Sequence, residues 1–225
     1  AESAESAFPS WSALKVNERS NYLIAIAEKI HSRLDEFASF ESRDTGKPIS
    51  LARSLDIPRS ISNIKFFAEH AKNFEFELDL NSYESSNRIM RLPIGVVCCI
   101  SPWNLPLYLF TWKIAPALVT GNTVIAKPSE ITPYTAYLLG DICSEVGLPP
   151  GVLNIIHGKG PTTGNLLVNH KSIKAISFTG GTSTGRLIFK SASNSFKKLS
   201  LEMGGKNPAI IFDDCDYEKM LDTIV

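Results

Sequence analysis

The sequence predicts an α/β protein, an open and mainly parallel sheet preceded by helices and a β-ribbon. Three observations predict it. From residue 96 onward, short apolar runs rich in β-branched residues alternate with helix-compatible segments, the pattern of a parallel sheet covered on both faces. Several of these runs lead directly into glycine-rich turns, where open sheets of this class hold ligands. Upstream of residue 74 the apolar spacing is mostly helical,.

Residues 14–40 read as one helix, with Leu14, Leu23, Ile26, Ile30, Leu34 and Phe37 at helical spacing,. Residues 50–73 read as a second, kinked or interrupted at Pro58,. Residues 74–92 alternate with a period nearer two and are bounded by Pro93 and Gly95, which predicts a β-ribbon,. The strands that follow are Val96–Ile100, Thr123–Ala126, Val152–Ile156, Ala175–Phe178, Lys198–Leu201 and Ala209–Phe212. The helices between them are Leu107–Val119, Pro133–Val146, Thr162–Asn169 and Ser183–Ser195. Crossovers between such strands are expected to be right-handed. The chain thus divides into a helical part (1–73), a ribbon (74–95) and a sheet domain (96–225).

A chain of 225 residues buries a substantial core,. Lys plus Arg and Asp plus Glu both number 23, so no basic surface calls for nucleic acid. No apolar run is long enough for a membrane span,. The first eight residues have neither a basic region nor an apolar stretch, so no signal peptide is expected,. The missing initiator Met suggests processing or a fragment. Cys98, Cys99, Cys143 and Cys215 lack metal-ligand spacing, and no metal is expected,. Adjacent Cys98 and Cys99 would face opposite sides of a strand as apolar fillers,. Such usage fits a reducing compartment, the cytoplasm.

Five motifs carry chemistry. In Ser101-Pro-Trp-Asn-Leu-Pro106, two prolines stiffen a loop after the first sheet strand,. Asn104 there is either a rigid oxyanion donor or a helix cap, and residue type alone favours the cap,. Lys127-Pro-Ser-Glu130 offers a lysine and a glutamate three apart, either to grip a ribose diol or as a surface ion pair. His157-Gly-Lys-Gly-Pro-Thr-Thr-Gly164 spaces its glycines one residue longer than the usual dinucleotide fingerprint and is weak by itself,. Phe178-Thr-Gly-Gly-Thr-Ser-Thr-Gly185 opens a helix whose first N–H groups suit a pyrophosphate,. Leu199-Ser-Leu-Glu-Met-Gly-Gly-Lys-Asn-Pro208 places Glu202 at a strand end before two glycines, a good position for a general base or else a plain surface carboxylate,.

Four of these motifs in this order, SPWNLP, KPSE, FTGGT and LSLEMGGKNP, resemble the NAD(P)-dependent aldehyde dehydrogenase family across nearly the whole chain. The resemblance implies a Rossmann-like cofactor domain with the ribbon used for subunit contacts in a homo-oligomer. It implies cofactor contacts from Ile100, Pro102, Trp103, Lys127, Glu130, Gly160, Pro161, Gly164, Phe178, Thr179, Gly180, Gly181, Thr184, Met203 and Gly204. Glu130 tilts the cofactor towards NAD, because a carboxylate repels a 2′-phosphate,. The family usually has serine at position 181 and leucine at 203, so Gly181 loses one phosphate contact unless Thr182 or Ser183 replaces it.

The implied reaction oxidises a small-molecule aldehyde to its acid. A cysteine thiolate attacks the aldehyde, Asn104 helps hold the oxyanion, hydride passes to NAD, and water activated by Glu202 opens the thioester,. That cysteine belongs downstream of residue 225, so a missing catalytic domain and an inactive chain are expected, with a non-catalytic NAD-binding or assembly fragment as the alternative. Cys215 lies among Asp213, Asp214 and Asp216 and is rejected as a substitute nucleophile,. Tyr108 and Trp112 are placed at a substrate tunnel, although aromatics at helical spacing equally suit a core, and Lys113 is a candidate support for a proton relay,. The stretches Ser54–Ser60 and Asn104–Pro116 resemble the subgroup acting on 2-aminomuconic and 2-hydroxymuconic semialdehydes, and Arg59 is the candidate partner for a substrate carboxylate,.

Overall fold

A computed structural model describes residues 1–81, 85–205 and 207–224. Five strands form one parallel sheet: β3 (Val96–Ile100), β4 (Thr123–Lys127), β5 (Leu153–Ile155), β6 (Ile173–Thr179) and β7 (Lys198–Glu202). Their spatial order is β5-β4-β3-β6-β7. The chain therefore starts at the centre, builds outward through β4 and β5, and then crosses to β6 on the other side of β3. That reversal opens a crevice at the carboxyl ends of β3 and β6.

β3 and β4 are buried at every residue, as expected for central parallel strands with both faces covered. Cys99 and Val97 join the larger core, with Ile26, Ile30 and Phe37 from the early helices. Cys98, Val96 and Ile100 join a smaller core on the opposite side, with Ile176, Ile188 and Ala192. The larger core is covered by α2 (Val16–Ser32), α3 (Leu34–Thr45), α5 (Ile57–Lys72), α6 (Pro106–Val119) and α7 (Tyr134–Glu145). The smaller one is covered by α8 (Asn165–Asn169) and α9 (Thr182–Ser193). α10 (Tyr217–Ile224) follows β7.

Several elements differ from expectation. The reading of residues 14–40 as one helix is corrected: Arg33 leaves helical geometry and separates α2 from α3. Its guanidinium binds Glu36 at 2.7 Å and Glu145 at 3.0 Å, while Ile30 and Phe37 on either side remain fully buried. Pro58 sits in the first turn of α5, and the irregularity falls just before it. There α4 (Ile49–Leu51) widens into a π-helical turn, Ala52–Asp56. A proline has no N–H for the i−4 carbonyl, and a π turn accommodates the missing bond.

Ala209–Phe212 is not a strand. Its apolar residues are exposed and pair with no neighbour in the sheet. Composition alone does not make a strand without a partner. The ribbon forms as β1 (Glu77–Asn81) and β2 (Ser86–Met90), antiparallel, with Arg88 gripping Asp79 through two hydrogen bonds of 2.7 and 3.1 Å. The predicted ribbon's residues 82–84 lie outside the described residues.

An unexpected helix, α1 (Glu2–Ala13), opens the chain. Ala4, Ala7 and Trp11 form its buried stripe at i, i+3 and i+7,. Two alanines gave little apolar signal in the sequence. Trp11 Nε1 donates to the Leu118 carbonyl at 3.1 Å, and Thr123 Oγ1 donates to the Ala4 carbonyl at 2.9 Å. Gly151, at φ 86°, lies so close to Ser3 that any Cβ there would strike the Ser3 carbonyl oxygen. Truncating the buried ring in Trp11→Ala should cost about 3–5 kcal/mol, read as a lower midpoint in urea denaturation.

Candidate functional site

A cleft of about 580 Å³ lies at the carboxyl edge of the sheet. It is built from the ends of β3, β4 and β6, the Gly160–Gly164 turn, and the inward faces of α8 and α9. Thirteen of the fifteen residues assigned above to the cofactor line it: Ile100, Pro102, Trp103, Lys127, Glu130, Gly160, Pro161, Gly164, Phe178, Thr179, Gly180, Gly181 and Thr184. Met203 and Gly204 do not. Met203 packs against Gly185 of α9, and Gly204 lies near Thr182. Both stand behind the first turn of α9.

Sequence reasoning missed Ser101, Ser129, Asn165, Val168, Leu187, Ile188 and Ser191, which also line the cleft. The helical ones were within reach. Val168 follows Gly164 by four residues, and Leu187, Ile188 and Ser191 follow Thr184 by three, four and seven. That is one face of each helix.

The electrostatic centre is Lys127 with Glu130. Lys127 is only 2% exposed, so its charge needs partners. Nζ donates to the Pro128 carbonyl at 2.8 Å and to Glu130 Oε2 at 3.1 Å. Glu130 Oε1 accepts the Gly160 backbone N–H at 3.2 Å. Burial pushes the Glu130 carboxyl upward, but bonds from its own backbone N–H, Lys127 and Gly160 outweigh it, and its pKa falls below the ordinary value,. Spacing of three thus produces an ion pair, but with a buried lysine and with the glutamate also holding the glycine turn.

Beside it, α9 begins at Thr182 with Gly181 as its N-cap residue and no side chain capping it. Its first N–H groups are the kind of donors an anion takes up. A Cβ at Gly181 would meet nothing nearer than Ser183 Oγ at 3.9 Å, so the absent serine is not excluded by space.

Glu202 ends β7 beside Thr179 and is exposed. Asn104 is exposed on the loop before α6. The cap reading for Asn104 is corrected: the N-cap residue is Leu105, and no side chain caps α6. Neither Glu202 nor Asn104 lines the cleft. Lys113 of α6 is buried, with Nζ 3.3 Å from Ser177 Oγ. Burial lowers its pKa, while the Glu202 carboxylate acts to raise it. Arg59, Tyr108 and Trp112 form a separate cluster. The Arg59 guanidinium lies 4.9 Å from the Tyr108 ring centre, and Trp112 meets Phe67 edge-on at 5.3 Å,.

Cys98, Cys99 and Cys143 are buried, and burial pushes their thiols upward, Cys98 and Cys143 to about 12. Cys215 is exposed and away from the cleft lining. A buried thiol held protonated is a poor nucleophile.

The whole chain, residues 1–225, matches the aldehyde dehydrogenase family. This protein is an aldehyde dehydrogenase family member. It is 52% identical to 2-aminomuconic semialdehyde dehydrogenase from Danio rerio over 99% of this chain and 46% of that protein. It is 46% identical to 2-hydroxymuconic semialdehyde dehydrogenase from Pseudomonas sp. (strain CF600), over 94% of this chain and 45% of that protein. Among solved structures, a betaine aldehyde dehydrogenase mutant from Staphylococcus aureus in complex with NAD+ superposes with a TM-score of 0.91 at 39% identity, covering 99% of this chain and 45% of that one. The chain therefore spans about half the length of the relatives it matches. Among the described residues, no helix is long and apolar enough to cross a membrane.

One titration follows from the packing around this family member's cleft. Glu41 of α3 is fully buried. Burial raises its pKa from 4.5 to about 7, despite the Thr135 hydroxyl and the Leu107 N–H that favour the charge. The folded value exceeds the unfolded one, so the penalty is absent below about pH 4.5 and complete above about pH 7,. Stability should fall across that window by on the order of 3 kcal/mol. Glu41→Gln should remove that fall, visible as a smaller change in denaturation midpoint between acid and neutral buffers.

Proposed function

We propose that this chain provides the NAD-binding part of a dehydrogenase that converts an aldehyde to its carboxylic acid. The observation that carries the reading is the Lys127–Glu130–Gly160 arrangement at the mouth of the switch-point cleft. A dinucleotide suits what lines it. Ile100, Val168, Phe178, Leu187 and Ile188 offer apolar walls for a base, Lys127 with Glu130 suits a ribose diol, and the start of α9 suits a phosphate,. Ser101 Oγ, buried in the wall, has no hydrogen-bond partner among the described residues.

When bound, NAD supplies the two-electron acceptor. Several of the chain's own residues serve the reaction. Lys127 and Glu130 orient the ribose, and Glu130 repels a 2′-phosphate. Asn104 donates its amide to the developing oxyanion. Glu202 takes a proton from the attacking water. Met203 and Gly204 set the position of the α9 start.

The substrate we infer is a semialdehyde that carries a carboxylate, of the 2-aminomuconic type. The relatives named above and the Arg59–Tyr108–Trp112 cluster support it. We assign residues 96–225 to the cofactor domain, 1–73 to its helical cover and 74–95 to a subunit-contact ribbon. Leu80, Ile89, Met90 and Leu92 expose apolar surface on or beside that ribbon and favour a homo-oligomer,. We place the protein in the cytoplasm, a reducing compartment that suits its free cysteines,. A non-catalytic NAD-binding fragment is the second reading. It is favoured by the burial of Cys98, Cys99 and Cys143.

Calorimetric titration should give NAD an affinity at least about tenfold above that of NADP, roughly 1.4 kcal/mol. Glu130→Gln should erase most of the difference. Equal affinities in the unaltered protein would remove the NAD argument. The 225-residue chain, given NAD and a muconic semialdehyde, should produce no NADH absorbance. Steady production lost on Cys215→Ser would identify that exposed thiol as a nucleophile after all.

A further inference from the structure

We propose that Glu41 is a positioning residue for the cleft: its buried side chain on α3 holds the first turn of α7 and so sets the loop before α7, and through that loop the one before α6. These loops, residues 101–105 and 128–133, carry Trp103, Asn104 and Glu130. The inference rests on the reading of the cleft as a dinucleotide site only for its binding consequence.

The geometry has a common logic. Helix starts leave backbone N–H groups without partners. Neither α6, with N-cap Leu105, nor α7, with N-cap Pro133, has a side-chain cap of its own. For α7, α3 supplies acceptors instead. Thr135, in the first turn of α7, donates its hydroxyl to Glu41 Oε2 at 2.9 Å. Glu41 Oε1 is buried and has no hydrogen-bond partner among the described residues. One turn further along α3, Asp44 Oδ2 accepts the Tyr134 N–H at 2.9 Å. Phe40 stacks on the Tyr134 ring at 4.0 Å.

The two loops are also tied to each other, because Thr132 Oγ1 lies 3.4 Å from the Trp103 carbonyl oxygen that accepts from it. Lys47 and Asp56 are the other charges acting on Glu41, and they pair with each other at 2.9 Å. A carboxylate at helix N-termini is favoured by the dipole, which gives a fully buried glutamate a reason to be there. A group placed merely to fill the core would be better as leucine.

The test is hydrogen–deuterium exchange on the full chain, read by segment, with NADH titration followed by fluorescence. Glu41→Leu keeps volume and loses the acceptor. Exchange should rise several-fold in residues 101–107 and 128–137, with no change in β6 or the ribbon, and NADH affinity should drop about tenfold. Glu41→Gln retains an acceptor oxygen and should restore both segments. Thr135→Val should loosen the same two segments, and it decides the question if Glu41→Leu does not fold. Exchange unchanged in both segments, or raised evenly over the whole chain, overturns the clasp. Failure of the unaltered protein to bind NADH would refute the cleft reading, and the exchange pattern would still decide for or against Glu41.

Discussion

The cleft depends on β3 being buried on both faces. A strand without a solvent side needs apolar residues at every position and a neighbour on each edge, and Val96–Ile100 has both. With β4 and β6 parallel to it, three strand ends emerge on one side of the molecule. Lys127 and Thr179 stand at those ends, and Ser101, Ser129 and Glu130 stand on the loops that leave them. The two cores above and below the sheet hold this edge in place, so the cleft floor consists of Ile100 and Phe178 where polar loops begin. Disturbing the packing of β3 would displace the binding groups without touching one of them.

Charge enters this apolar frame only with compensation, and the compensation has a structural use. Lys127 is the last residue of a fully buried strand, and its ammonium reaches Pro128 and Glu130 rather than water. Glu130 in turn fixes Gly160, so one ion pair joins the β4 end to the turn after β5. Lys113 finds Ser177 on β6. Glu41 serves α7 as Glu130 serves the glycine turn, as an acceptor at the start of an element, here for the Thr135 hydroxyl. Each of these groups would be costly if left alone. Together they join loops that the sheet only brings near one another.

Much of this was legible in the sequence, for reasons that differ by element. The central strands are read from unbroken apolar runs, because burial on both faces leaves a strong signal. The cleft residues on loops are read from short motifs, where proline and glycine restrict the backbone. Trp11 shows the opposite case: its helix buries two alanines and one tryptophan, too few apolar residues to mark a period. The Arg33 break left no trace because the apolar spacing continues through it. Ala209–Phe212 reads as a strand by composition, yet strand formation depends on a partner that residue type does not specify. Glu41 sits inside an ordinary helical pattern, and its role lies in a contact with Thr135, 94 positions downstream.

The register of the sheet then decides which side chains can work together. Lys127, Ile100, Phe178 and Leu201 lie on one rung across four strands, and Thr179 with Glu202 occupies the next. Because successive residues of a strand point to opposite faces, Glu202 faces away from Leu201 and from the core that Leu201 packs against. A slip of β7 by one residue would bring the carboxylate to the apolar side, and a slip of β4 would put Ala126 where Lys127 meets the cleft. The side chains that fix this register include buried ones, Val124, Ile125 and Ile176, which do not line the cleft. Placement of Glu202 and Lys127 at one sheet edge is therefore a property of the apolar rungs beneath them. The Gly180 N–H completes it, donating to the Glu202 carbonyl at 3.0 Å and joining the α9 loop to the end of β7.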